Sequence, residues 1–272
     1  MRRPFAEPLA KFFADRGPHL AAMIAYFGLL SSVSLIFLAL ALFGFTGRVE
    51  ESSYLVEELS RLFPSSSIDD IVSVVSALTE NATTLGIIGG TFLLWTSLSL
   101  FSVLESAFNI VYGRPNRPFV HGKLLATLFM AGSVVAVFVS IVAGSLGFRL
   151  LRRFVPGFVD NDVVAYALSM LVSTLAVFVF LVFAYERLTN VKLTLRHVWP
   201  GAALAAVLLQ ITFQVLPLFV TLSRDVVALQ ALGTSALLLV WIYVMANVIV
   251  FGAEVNWFLG SRREEPEIAG LA

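Results

Sequence analysis

The chain has 272 residues, of which 58% are hydrophobic and 13% are charged. Soluble domains average about 45 to 50% apolar and 25% charged residues, so this composition excludes an ordinary soluble domain and indicates an integral membrane protein. Eighteen basic side chains balance eighteen acidic ones without a basic block, which argues against nucleic-acid binding. The lack of cysteine excludes disulfides and thiolate chemistry.

Six apolar stretches are long enough to cross a bilayer as helices, which takes about 20 residues. They lie at residues 20–46, 84–112, 124–151, 163–186, 198–222 and 226–260. They predict an all-α fold with six transmembrane helices in one membrane domain, residues 1–272. With both termini in the cytoplasm, 12 Lys and Arg residues fall on the cytoplasmic side and 6 on the outer side. Because cytoplasmic loops are enriched in these residues, the sequence predicts an N-in, C-in topology with residues 261–272 as a cytoplasmic tail.

Two segments outside the spans have helical patterns of their own. In residues 1–18, apolar side chains recur at helical spacing between Phe5 and Phe13, which predicts a short helix on the cytoplasmic membrane interface. Residues 47–83 are acidic and hold two amphipathic stretches on either side of Pro64, which predicts an external helical hairpin between spans one and two. This hairpin fits either a solvated cap or a gate or partner-docking surface.

Polar side chains occur on one face of three predicted spans. Span two carries Ser102, Glu105, Asn109 and Tyr112, span five carries Gln210, Gln214 and Pro217, and span six carries Tyr243, Asn247 and Glu254, with Asn256 as a further candidate beside them. Such stripes predict a polar interior, because polar groups inside a membrane face protein or water. We expect these residues to form a substrate or ion pathway along a seam of spans two, five and six. Pro217 lacks an amide hydrogen and predicts a kink in span five.

Glu105 and Glu254 both lie six or seven residues before the cytoplasmic ends of their spans, roughly 10 Å deep at 1.5 Å per residue. If the two carboxylates face each other, repulsion and desolvation make them a proton or cation site. A second interpretation is that each is a structural pin. The pin's partner is then a base such as Arg114, Lys123, Arg187 or Arg196, or an amide, Asn109 or Asn256. A third is binding of a lipid or solute headgroup. The sequence leaves all three open.

The four tryptophans divide by their predicted depth in the membrane. Trp199 and Trp257 lie near predicted span ends and are expected at the membrane interface. Trp95 and Trp241 lie deeper, and we expect them in the core.

Three segments of the chain carry the motifs of a known family. They are AAMIAYFGLLSSVSLIFLALALFG, LWTSLSLFSVLESAFNIVYGRPNRPF and LGTSALLLVWIYVMANVIVFGAEVNWFLG. Nearly the whole chain resembles the YihY family, also called the virulence factor BrkB family and once mislabelled ribonuclease BN. The family signatures ALN..Y and GAELN are present as AFNIVY, ending at Tyr112, and as GAEVN, which contains Glu254, with Phe and Val in place of Leu. The resemblance implies a multi-pass bacterial inner-membrane protein with six helices and roles in envelope integrity, serum resistance or transport-like activity.

The sequence does not support the ribonuclease label. RNA hydrolysis needs a metal cluster or an acid-base pair beside a basic groove, and the only histidines, His19, His121 and His197, lie in three separate loops. We therefore predict no enzyme activity, no catalytic residue, no metal site and no cofactor.

Two functions fit the sequence. The first is a transporter-like protein that moves a lipid, another amphiphile or a small solute along the polar seam. The alternative is a non-transporting envelope scaffold that acts through the external hairpin. Membrane lipids are the expected partners in both cases, and an envelope protein partner or a homo-oligomer also fits.

Overall fold

The computed structural model describes residues 6–46, 82–129, 131–132, 162–224 and 227–269, and within these ranges every regular element is a helix. The helices are α1 (Ala6–Ala14), α2 (Gly17–Thr46), α3 (Ala82–Val111), α4 (Phe119–Phe129), α5 (Asp162–Leu188), α6 (Leu195–Arg224) and α7 (Val227–Ala269). The all-helical prediction is confirmed for this part of the chain.

In the described part of the chain, four helical stretches are long and apolar enough to cross a membrane. They are Gly90–Val111, Tyr166–Leu188, Leu195–Val215 and Ala236–Ser261, and they correspond to predicted spans two, four, five and six. Helix α2 covers the first predicted span. Helix α4 covers the beginning of the third, and the rest of that span lies outside the described residues apart from 131–132. The predicted hairpin also lies outside them, up to residue 81.

The chain divides into two compact units. The first contains Met1–Ala22, Phe101–Leu218 and Val244–Ala272, and the second contains Met23–Leu100 and Phe219–Tyr243. In the second unit Trp241 is buried as predicted, whereas Trp95 is 56% exposed, so the prediction of a core Trp95 is wrong. The polar groups described below belong to the first unit, with the exception of Tyr243.

In the first unit, two glycines allow α6 and α7 to cross closely. A Cβ atom on Gly201 would overlap the carbonyl oxygen of Gly252, and one on Gly252 would lie 2.5 Å from the Tyr185 hydroxyl of α5. That hydroxyl donates a hydrogen bond to the Ile249 carbonyl at 2.7 Å, and the Tyr185 ring packs against Phe108 of α3 at 5.1 Å. Through Tyr185, α5 therefore contacts both α3 and α7. Such packing is the main source of association between helices in lipid.

Helix α1 packs against the last helix through one of its aromatic side chains. The Phe12 ring is buried, and its centroid lies 5.9 Å from that of Phe251. Leu9 and Phe13 are exposed, as expected of a helix with one face toward lipid. This packing holds the polar face of α1 near the end of α7.

Candidate functional site

Helix α3 ends in a turn that redirects the chain. Gly113 has a φ of 61°, the left-handed region in which glycine is favoured. The Arg114 amide donates to the Asn109 carbonyl at 2.7 Å, and the Gly113 amide donates to the Ile110 carbonyl at 3.0 Å. These two bonds form a Schellman motif, which satisfies helix-end carbonyls. The loop that follows can then turn back toward the end of α5.

Asn109 joins the loop after α3 to the loop after α5. It is fully buried, and its side-chain oxygen accepts a hydrogen bond from the Asn190 amide at 2.6 Å. Its side-chain nitrogen donates to Asn116 at 3.1 Å, and the Asn190 side chain donates to the Pro115 carbonyl at 3.0 Å. An asparagine suits this position because it offers both an acceptor and donors. Its observed role is to hold two loops together.

Glu105 forms an ion pair with Arg117 of the loop after α3, and this pair lies against the end of α5. The carboxylate is 5% exposed and accepts from the Arg117 guanidinium at 3.1 Å. The same guanidinium donates to the carbonyls of Leu188 at 2.6 Å, Thr189 at 2.8 Å and Arg187 at 3.2 Å. The last carbonyls of a helix have no intrahelical donor and carry partial negative charge. Arg117 therefore caps α5 and neutralises Glu105 at once.

Glu254 forms an ion pair with Lys11 of helix α1. Its side chain is fully buried, and Oε2 lies 3.0 Å from the Lys11 ammonium. The ammonium also donates to the Val111 carbonyl at the end of α3 at 2.7 Å, pairs with Asp15 and lies 4.3 Å from the centroid of the Trp257 ring. One lysine therefore joins α1, α3 and α7.

The structure gives each glutamate its own base, which is the pinned arrangement among the predicted alternatives. The bases differ from those named from the sequence. Lys123, one of the predicted partners, donates instead to the Ser102 hydroxyl at 3.1 Å. Lys11 was missed because it is distant in sequence from Glu254. Arg117 was missed because it lies beyond the turn that ends the helix of Glu105. Their only signal in the sequence was their position at the predicted cytoplasmic ends of helices.

The glutamines of span five face α5 rather than spans two and six. Gln214 accepts a hydrogen bond from the Tyr166 hydroxyl at 2.8 Å, and the Ser173 hydroxyl lies 3.5 Å from Gln210. A groove of about 280 Å³ lies between these helices. Its lining residues are Met170, Thr174, Val207, Gln210, Ile211, Gln214 and Val215. This location differs from the predicted seam.

Fewer contacts are described for the other predicted site residues of spans five and six. Helix α6 continues through Pro217, whose side chain lies outside the described residues. Tyr243 and Asn247 are half-buried, and each has an interaction partner. Tyr243 belongs to the second unit, so the predicted stripe of span six is divided between the two units.

A cavity of about 170 Å³ lies where the ends of α3, α6 and α7 meet. It is lined by Tyr112, Arg114, Val191, Lys192, Leu193, His197, Asn256, Trp257, Gly260 and Ser261. Asn256 is 1% exposed, and its side-chain oxygen accepts a hydrogen bond from the Gly201 amide at 2.6 Å. Among the described residues, neither the Asn256 side-chain nitrogen nor the Tyr112 hydroxyl has a hydrogen-bond partner.

Tyr112 lies one residue beyond the candidate span Gly90–Val111. Burial, assisted by the charge of Glu254, raises the pKa of the Tyr112 phenol above its ordinary value. The phenol therefore keeps its proton at neutral pH and can donate it in a hydrogen bond.

Comparison with known proteins gives one family and several membrane-protein relatives. A family model described as Virulence factor BrkB matches residues 9–270. The chain is 24% identical to the ribonuclease-like protein YfkH of Bacillus subtilis (strain 168) over 96% of each chain. It is 26% identical to a UPF0761 membrane protein of Pseudoalteromonas translucida, over 91% of this chain and 83% of that protein.

One further relative is considerably longer than this chain. The UPF0761 membrane protein of Laribacter hongkongensis is 30% identical over 89% of this chain but only 57% of its own length. This chain thus spans little more than half of that protein. No solved structure matches the chain significantly.

Proposed function

The chain belongs to the virulence factor BrkB family, and we propose that it is a transporter-like protein that moves a lipid or another amphiphile across the bacterial inner membrane. The observation that carries this proposal is the groove between α5 and α6. Both helices contain candidate membrane spans, and the groove lies within them. Its lining is almost entirely apolar, and Gln210 and Gln214 supply two amide side chains beside it. The acyl chain of an amphiphile fits such a lining, so an amphiphile is the ligand class that we assign to it.

The proposal includes the predicted topology of six spans with both termini in the cytoplasm. Four contacts support it by bringing together helix ends that this topology places on one side of the membrane. Lys11 meets Val111 and Glu254, Arg117 meets Leu188, and Gly201 meets Asn256. The third span and the outer loops lie largely outside the described residues, and their placement stays a prediction.

We assign the two buried glutamates to holding the fold rather than to coupling ion movement. Glu105 and Glu254 already have cationic partners, and breaking a buried ion pair is costly. No catalytic step is assigned to any residue. The scaffold alternative depends on residues 47–83, almost all outside the described part of the chain, and stays a prediction.

The test is a lipid translocation assay. Purified protein is reconstituted into vesicles of phosphatidylcholine and phosphatidylglycerol that contain a fluorescent lipid, and dithionite quenching from outside follows its movement between leaflets. We expect faster movement than in protein-free vesicles. Gln210→Leu and Gln214→Leu should slow it, because they remove the polar part of the groove.

A matched control is Thr212→Val on the same helix. The Thr212 hydroxyl donates within α6 to Leu208, and Thr212 does not line the groove, so this variant should move lipid at the wild-type rate. Equal rates with and without protein would refute the transport proposal. Wild-type rates in both glutamine variants would refute the role of the groove.

A further inference from the structure

The cavity where α3, α6 and α7 meet is lined by hydrogen-bond donors and cations. Arg114 and Lys192 supply positive charge from the two loops on either side, and His197 lies on the first turn of α6. None of the ten residues that line the cavity is an aspartate or a glutamate. The wall is therefore positive, which favours a negatively charged ligand.

Asn256, which lines the cavity, has a buried donor without a partner among the described residues. Because Gly201 presents a backbone N–H, the Asn256 side chain must direct its oxygen toward it, at 2.6 Å. The NH₂ group is then left without a partner among the described residues, on a side chain that is 1% exposed. A buried donor without a partner is costly, and a bound ion or water is one arrangement that removes this cost. The Tyr112 hydroxyl is a second unpartnered donor in the same cavity.

Glu254 is a buried carboxylate close to the cavity, two residues before Asn256 on α7. It pairs with Lys11 at 3.0 Å, and Lys11 also pairs with Asp15, so the positive charge of the cavity wall comes from Arg114 and Lys192. The cavity also has an apolar side, formed by Val191, Leu193 and the Trp257 ring. Its volume of about 170 Å³ far exceeds the roughly 10–15 Å³ that one water needs, so a group of several heavy atoms fits.

We propose that this cavity binds a phosphate-type anionic group, with Arg114 and Lys192 as its cationic contacts and the Asn256 amide and Tyr112 hydroxyl as its buried donors. The group is either the headgroup of an anionic lipid or free phosphate. This inference deepens the proposed function by naming the substrate class. It rests on the proposed function only where the lipid bound in this cavity is also the lipid that the protein moves.

Calorimetric titration of the purified protein in a neutral detergent tests the site with three probes. They are inorganic phosphate, dihexanoyl phosphatidic acid and dihexanoyl phosphatidylcholine, whose choline masks the phosphate charge. We expect binding of the phosphatidic acid and weak or no binding of the phosphatidylcholine. Tighter binding of the phosphatidic acid than of phosphate identifies a lipid headgroup site that also uses the apolar wall. Equal binding of the two identifies a site for free phosphate. Absence of binding by both overturns the proposal.

Single substitutions then locate the binding. Arg114→Ala and Lys192→Ala should each weaken it about tenfold, because each removes one charge-assisted hydrogen bond from an exposed side chain. Arg187→Ala removes the same charge from an exposed residue that does not line the cavity and should leave the affinity unchanged. Equal losses in all three variants would show a general charge effect and overturn the site.

A fourth variant tests the buried donor. Asn256→Asp keeps an oxygen for the Gly201 amide but replaces the NH₂ group with a second oxygen, so it should abolish binding. Arg114 and Lys192 are exposed, so their variants remain informative if Asn256→Asp fails to fold. Lipid translocation measured on the same variants separates the two proposals. Translocation with no anion binding refutes the site alone, and binding with no translocation refutes the transport function alone.

Discussion

Replacing Arg117 by alanine should destabilise the protein strongly, because one side chain satisfies four acceptors. The substitution leaves the Glu105 carboxylate, 5% exposed, without its counter-ion. Losing one partner of a buried pair costs about 3–5 kcal/mol, and the partial exposure of Arg117 reduces this to roughly 2–3 kcal/mol. The buried Leu188 and Thr189 lose a charged donor to their carbonyls, which adds about 1 kcal/mol.

The expected total is therefore about 3–4 kcal/mol, which corresponds to a fall in Tm of about 6–16 °C for a chain of this size. Thermal unfolding in detergent, followed by the fraction that remains monodisperse on gel filtration after heating, measures this change. Arg187→Ala is the matched control, since it removes an exposed arginine at the same helix end and should shift Tm little.

A second substitution separates the two effects of Arg117. In the Arg117→Ala background, Glu105→Gln removes the unpaired charge, so it should recover more than half of the lost stability. The carbonyl ends of α5 remain uncapped and account for the rest. A Tm for Arg117→Ala within about 2 °C of the Arg187→Ala control, at most about 1 kcal/mol, would refute the assigned role.

Three further substitutions test the packing around this region. Lys11→Ala should cost about 2–4 kcal/mol because it leaves the buried Glu254 charge unpaired, and Glu254→Gln in that background should restore most of the Tm; no recovery would contradict the pairing. Gly201→Ala should prevent folding, since its Cβ would overlap a backbone carbonyl of α7, whereas Gly90→Ala has nothing within 4 Å and should leave the gel-filtration profile unchanged. Gly113→Ala should lower stability by about 1 kcal/mol because its φ of 61° disfavours a side chain, and an unchanged Tm would show that the turn tolerates one.

The two family signatures acquire separate physical roles in the structure. In AFNIVYG, Asn109 joins two loops, Tyr112 lines the cavity and Gly113 ends the helix. In GAEVN, Gly252 allows the close crossing with α6 and Asn256 accepts from the Gly201 amide. Asn109, Tyr112 and Asn256 were predicted to matter as polar positions, whereas the two glycines were not singled out from the sequence. Their roles depend on neighbours that lie up to 81 residues away in sequence.

The sequence predicted how deep the two glutamates lie along their helices, but the helix face on which they lie did not identify their partners. Glu105 and Glu254 do lie near the ends of the candidate spans Gly90–Val111 and Ala236–Ser261, and each meets a residue of a loop or of α1. Helical spacing gives the face of one helix, and it contains no information about which neighbour that face meets. The glutamines of span five show the same limit, because their stripe faces α5.

Composition and the length of apolar stretches by themselves determined that the protein is helical and crosses a membrane, because a bilayer requires runs of apolar residues with every backbone group satisfied inside the helix. They also placed the polar positions along each helix. The tertiary structure alone decided which base neutralises each carboxylate, that a helix before the first span holds one of those bases, and that loops from distant segments close a positive cavity. These outcomes depend on how packed helices are rotated and how far apart they lie. Contacts between helices, such as that of Gly201 with Gly252, set both quantities, and the periodicity of a single helix does not contain them.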